Sequence, residues 1–182
     1  EPSNSQQIDT LEIVAQLLSN GQAGLFDLDL SQKMKVQEIE AGVTDMNDYS
    51  VFYVYGQSKS GQTLQEVRSL ALDEIEKLKK GNFSDDLLPS IVNNYKRYYY
   101  KQLDNNQFRA KQYVDAFINQ KDWKKEVDKL NRIPKLTKAE IVKFANTFFR
   151  NDFACVYKEK GNDTTIKKVE KPTITPIHNN TD

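Results

Sequence analysis

Residues 37–57, QEIEAGVTDMNDYSVFYVYGQ, hold the reading on which the fold depends. Ile39, Ala41 and Val43 alternate with Glu38, Glu40 and Gly42, the period-two pattern of a strand with one buried face. A polar turn, TDMND, follows, and a second run near 49–56 sets Val51, Tyr53 and Tyr55 against Phe52 and Val54. The pair reads as an antiparallel hairpin, wet on one face of the first strand and apolar on both faces of the second. A strand dry on both faces belongs inside a sheet, and a half-wet one at its edge.

Working outward, helical spacing takes over on both sides. Ile8, Leu11, Val14, Ala15 and Leu18 recur at helical intervals over 4–19, and Asn20-Gly21 supplies a stop. Leu25, Leu28 and Leu30 suggest a second helix over 24–34. After the hairpin, Thr63 and Glu66 form a capping box for a helix over 63–80. Its buried stripe is Leu64, Val67, Ala71, Ile75 and Leu78, and Gly81 ends it. Ser84 is placed to cap a long helix from 85 to about 119, with Asp85 and Asp86 in its first turn and a kink near 104–107. A short helix over 123–131 follows, then a second capping box at Thr137 and Glu140 with Ile141, Phe144, Ala145 and Phe148 inward. FACVYKEK, 153–160, reads as a last strand, and 161–182 as an extended linker without apolar period.

This order predicts an α+β domain over 1–160, an antiparallel sheet with several helices packed on one face. Three strands are few for so much helix, and the chain opens on EPSNSQQ without Met. The expectation is that further strands precede residue 1.

Composition narrows the function. The 182 residues suffice for one domain with a core, and 26 basic residues balance 26 acidic ones. That balance argues against nucleic acid. The Tyr-, Lys- and Arg-bearing run at 93–102 therefore reads as partly inward Tyr95, Tyr98 and Tyr99, with Tyr100 outward. No apolar run is long enough to span a bilayer, and no signal peptide is visible, which leaves the compartment open between a bacterial periplasm and a cytoplasm. The single cysteine, Cys155, reads as a small buried hydrophobe in an apolar strand. The single histidine, His178, reads as a solvated linker residue. One histidine excludes every two-histidine zinc motif, so no catalytic or metal residue is assigned in this segment. The acid pairs Asp85/Asp86 and Glu74/Glu76 lack partners for acid–base work, and GQSKSGQT lacks the G-K-[ST] of a phosphate loop.

The ordered set of elements resembles the pitrilysin/insulinase family of zinc metallopeptidases, with its processing-peptidase-like fold, over about 5–160. The resemblance rests on Gly21, Gly24, Leu25 and Leu28, then the strand pair over 36–57. It continues through a Glu- and Leu-rich helix ending in LKKG before an acidic helix start, and Ile133, Leu136, Thr137, Glu140 and Ile141 before a terminal strand. It implies a non-zinc-binding domain of a multidomain endopeptidase that cleaves peptides, with zinc held by H-x-x-E-H in a sister domain of the same chain or a second subunit. An Arg–Tyr pair that the family's second half brings to its active site falls here on Ser31 and Glu38, so neither role transfers. The alternative is an inactive homologue that acts as a scaffold or protein-binding subunit.

The same resemblance places a peptide-anchoring strand edge at Ile39, Glu40, Ala41 and Gly42. Glu38 and Glu40 on one face would suit a peptide ammonium, and backbone pairing would be indifferent to peptide sequence. The plainer account of these acids is a solvated outer strand whose charges discourage edge-to-edge aggregation.

Overall fold

The computed structural model describes residues 3, 5–161 and 171. The chain is α+β, with the order α1 (Gln6–Leu18), a π-helical turn (Asp27–Ser31), β1 (Glu38–Thr44), β2 (Val51–Gln57) and α2 (Leu64–Lys79). Then come α3 (Leu87–Leu103), α4 (Asn106–Ile118), α5 (Trp123–Arg132), a 3-10 turn (Ile133–Lys135) and α6 (Lys138–Phe148).

α1 forms the centre. Ser5 caps it, its Oγ accepting from the Gln7 amide at 3.3 Å. The apolar stripe read from the sequence is buried, and Ile13 and Leu17 are buried as well. They are covered because α1 meets β1 on one side and α2, α3 and α6 on others, so a single stripe does not suffice. Beyond α1 the chain turns sharply around Asp27. One buried carboxylate oxygen accepts the amides of Asn20 (2.9 Å), Gln22 (3.2 Å) and Gly24 (2.9 Å). Gly21 takes the left-handed conformation, φ +77°. Gly24 is needed for space: a Cβ there would lie 2.4 Å from the Leu18 carbonyl oxygen. Phe26, unmarked in the sequence pattern, is fully buried at this turn, whereas Leu28 is exposed.

β1 and β2 pair antiparallel in the register Glu38↔Gln57 to Thr44↔Val51. This aligns Ile39, Ala41 and Val43 with Gly56, Val54 and Phe52 on the inner face, covered by α1 and α2. Gly56 lets the sheet sit close to α2, since a Cβ there would lie 2.7 Å from Val67 Cγ1. At the rear, Phe52 meets Phe149 with ring centroids 5.0 Å apart, which ties the sheet to the end of α6.

Several expectations are corrected. β2 is not dry on both faces: Val51, Tyr53 and Tyr55 are exposed and only Phe52, Val54 and Gly56 are half-buried. The reason is that, among the described residues, the sheet has two strands and helices cover only one of its faces. Residues 152–159 form no strand, because no described strand lies beside them to share a ladder, and Cys155 is accordingly exposed rather than buried. The long helix divides at Asp104, where Asn105 turns out of helical geometry and caps α4 by accepting the Gln107 and Phe108 amides. Ser84 accepts the Asp86 amide in a turn before α3 rather than capping it. Tyr98 is exposed, while Tyr95 and Tyr99 are half-buried. The linker reading, apart from Gly161 and Lys171, and His178 lie outside the described residues.

Both capping boxes form as the sequence indicates. Glu66 and Glu140 each accept the backbone amide and hydroxyl of the capping threonine, which holds both carboxyls below their ordinary pKa.

Candidate functional site

β1 divides the five sequence-marked residues between two environments. Ile39 is 5% exposed and packs into the core, with Ala41 half-buried beside it. Glu38 and Glu40 point to solvent on the opposite face, with Gly42 half-buried between strand and ring. Their cross-strand partners are Gln57, Tyr55 and Tyr53. The ring of Tyr53 lies over Gly42, and a Cβ on that glycine would come within 2.6 Å of the Tyr53 hydroxyl oxygen. The outer face of the hairpin is therefore a small surface of two carboxylates and two tyrosines, and Val51 extends it.

Both ends of this surface are tied down. At the turn, Asp45 accepts the hydroxyls of Ser3 and Ser50, each at 3.0 Å, and pairs with Lys121 at 2.8 Å. At the other end, Lys59 Nζ donates to the Met34 carbonyl at 2.6 Å and Gln62 Nε2 to the Lys35 carbonyl at 2.9 Å. Neither Glu38 nor Glu40 has a cation within ion-pairing distance among the described residues. The arrangement can accept hydrogen bonds from an ammonium and can offer a strand edge. It holds no nucleophile or general base positioned for chemistry.

Two charged clusters sit elsewhere, and the sequence reading missed both. In one, Lys77 bridges Asp29 (2.7 Å) and Glu74 (2.8 Å), and Lys33 also meets Asp29. Hydrogen bonds from Lys33 and Lys77 bring the Asp29 carboxyl down to about 2. Burial pushes Glu74 up against the opposing pull of Lys77, and its Oε2 has no hydrogen-bond partner among the described residues. Glu74 was findable, since it falls on the α2 stripe three residues after Ala71 and is 3% exposed. In the other cluster, Lys129 meets Asp9 (2.9 Å) and Glu12 (2.8 Å), and Arg132 meets Asp9 at 2.5 Å. Burial opposes the charge on Lys129, but Glu12, Tyr95 and Asp9 outweigh it and its pKa stays raised. The Tyr95 phenol beside it is pushed up to about 12, chiefly by burial. More than a hundred residues separate α1 from α5 in this cluster, so no local pattern marks it.

Zinc does not fit these groups. Among the described residues no three histidine, cysteine or carboxylate side chains converge to hold a metal ion, and each cluster already contains its own lysine. No helix among them is long and apolar enough to cross a membrane.

The sequence profile of the family described as the peptidase M16 inactive domain matches residues 1–95, from α1 into α3. The chain belongs to this family. Two solved structures share the fold of this chain. A protease from Helicobacter pylori superposes with a TM-score of 0.77 at 20% identity, over 82% of this chain and 36% of that one. The inactive peptidase domain of a candidate zinc protease from Bordetella parapertussis superposes with a TM-score of 0.75 at 14% identity, over 91% and 90% of the two chains. This M16 domain thus spans about a third of the Helicobacter chain and nearly the whole of the Bordetella domain. No curated protein matches the chain significantly in sequence.

Proposed function

We propose that this M16 inactive domain is a wall and positioning element of a multidomain zinc metalloendopeptidase, and that it contacts an extended peptide along β1. In this reading the zinc chemistry belongs to a sister domain, residues 1–160 are the domain proper, and 161–182 lead toward a neighbour. The observation that carries it is the pair of exposed carboxylates, Glu38 and Glu40, left without a cation beside a strand edge. Asp9, Asp29, Glu76 and Asp85 by contrast each meet a lysine or arginine, although Asp48, Asp73 and Asp86 stand without one among the described residues. An extended peptide adding to β1 would gain backbone hydrogen bonds, and its amino end would sit near Glu40 and Glu38. Because Ile39 and Ala41 are committed to the core, only the backbone of those residues would serve the peptide.

Anisotropy titration of the chain with labelled peptides, free or acetylated at the amino end, tests this reading. Acetylation should weaken binding roughly two- to five-fold, the range of an exposed charge pair, and Glu40→Lys should do the same. The two changes should not add. Equal affinity for both peptides, unaltered in Glu40→Lys, overturns the anchoring role. The chain alone should also show no peptidase activity, and stoichiometric zinc binding at micromolar affinity would contradict the assignment of metal to a sister domain.

A further inference from the structure

Asn20-Gly21 is the one place in the chain where an asparagine precedes a glycine. In that dipeptide no side chain stands beside the glycine amide nitrogen, which can attack the asparagine carboxamide. The nucleophile is not tied up. Among the described residues the Gly21 amide donates to no acceptor, and a Cβ on Gly21 would meet no atom within 4 Å. The carboxamide, by contrast, is held at both ends. Asn20 Nδ2 donates to the Gln16 carbonyl at 3.0 Å, while Oδ1 accepts the Gln22 amide at 3.0 Å and the Ala23 amide at 2.9 Å. The backbone on either side is pinned as well. Asp27 Oδ2 takes the amides of Asn20 and Gln22, and Gln32 Nε2 donates to the Gln22 carbonyl at 2.9 Å. All of these groups lie within residues 16–32, so the arrangement needs no chain beyond them.

We propose that Asn20-Gly21 is a modification site, converted through a cyclic imide to aspartate and isoaspartate, and that the Asp27 turn holds the reaction off while the chain is folded. The Gly21 nitrogen bonds to Asn20 Cγ as the Cγ–Nδ2 bond breaks, and the carboxamide nitrogen leaves as ammonia with the Gly21 amide proton. Water then opens the ring. Attack at Cγ gives aspartate; attack at the Asn20 backbone carbonyl carbon gives isoaspartate, with the main chain running through Cγ. Ring closure expels Nδ2 and turns Cγ toward Gly21, so the bonds that fix the carboxamide must break first, and their loss adds to the barrier. The product does not rebuild the turn. A carboxylate on residue 20 has no proton for the Gln16 carbonyl and stands near the Asp27 carboxylate. It also puts negative charge at the carboxyl end of α1, where the helix dipole opposes it. Isoaspartate adds a methylene to the main chain, so the amides of 20, 22 and 24 no longer converge on Asp27 Oδ2. The modification therefore records time spent unfolded and weakens refolding. The proposal does not depend on the role of β1.

The chain is incubated at mildly alkaline pH, where the Gly21 amide loses its proton more readily, in buffer and in unfolding guanidinium chloride. Peptide mass spectrometry follows the amide-to-acid change at each asparagine, and an isoaspartyl methyltransferase counts isoaspartate. Asn20 should convert roughly tenfold or more faster in denaturant than in buffer, and ahead of every other asparagine. Gln32→Ala removes an exposed side chain and leaves the core intact, and it should speed conversion in buffer roughly two- to five-fold. Asp27→Asn should speed it further, and where that variant fails to fold by circular dichroism, Gln32→Ala decides. Neither variant should alter the rate in denaturant. Asn20→Asp, which makes the aspartate product directly, should lower the folded-to-unfolded ratio roughly five- to thirty-fold. Equal wild-type rates in buffer and denaturant, earlier conversion at another asparagine, or a Gln32→Ala rate in buffer equal to wild type overturns the proposal. An Asn20→Asp chain as stable as wild type overturns the claim that the product cannot rebuild the turn.

Discussion

The neighbourhood of α1 and the α4–α5 hairpin are held in place by different forces. α1 buries seven side chains, and the sheet, the Asp27 turn, α2, α3 and α6 close around it. α4 buries Ala116 alone and α5 buries nothing, while Phe117 is 86% exposed. What fastens α5 is charge: Lys129 and Arg132 reach Asp9 and Glu12 on α1, and Lys121 before it reaches Asp45 at the hairpin turn. Burial is non-directional and scales with area, so it stabilises the α1 region against almost any small displacement. Ion pairs hold only at their own geometry, so the outer hairpin depends on a few contacts.

The largest expected effect lies in the first region. Leu17→Ala removes a fully buried side chain between sheet and helices and should cost about 3–5 kcal/mol in urea unfolding. Lys129→Met comes next, at about 2 kcal/mol, because Glu12 and part of Asp9 lose their cation. Its more telling readout is hydrogen exchange: α5 amides should speed up while α1 amides follow only the global loss. Uniform acceleration would show that the two regions unfold as one unit and would dissolve the contrast.

Glu74→Gln should act in the opposite direction and depend on pH. Burial raises the Glu74 pKa in the fold above its ordinary 4.5. The native state therefore prefers the protonated form; that stabilisation is present below pH 4.5 and is lost as pH climbs through the raised value. The variant should gain on wild type between pH 4 and pH 8, by about 1 kcal/mol, measured as the difference in melting temperature. Asp29 works the other way. Its contribution is present above pH 3.8 and disappears as pH falls toward 2, so Asp29→Asn should flatten only the acid limb. The smallest effect belongs to Phe117→Ser, within about 0.5 kcal/mol, since its ring contributes little burial to lose. A loss above 2 kcal/mol there would mean that α4 is packed more like α1 than its exposure indicates.

Reading along the chain recovered what is encoded locally. The capping boxes at Thr63 and Thr137, the stop at Gly21 and the inner stripe Ile39, Ala41 and Val43 all depend on neighbours within a few residues, and each stands where its pattern put it. Phe26 and Leu28 show the limit. Both are apolar and two positions apart, and only the Asp27 turn determines which of them enters the core. The candidate site was legible to the same degree: alternation marked Glu38 and Glu40 as outward, but their strand partners Tyr53 and Tyr55 follow from register, which no single strand contains.

Side-chain period and backbone groups a few residues apart were enough to place the α+β class, the hairpin, both capping boxes and the outward acids of β1, but not the break between α3 and α4 or the absence of a strand after α6 among the described residues. Which apolar residues are wet follows from long-range packing. β2 has apolar residues on both faces, but helices cover one of them; FACVY has the composition of a core strand, but no described strand lies beside it. Burial is a property of what lies opposite, and what lies opposite is set by contacts remote in sequence.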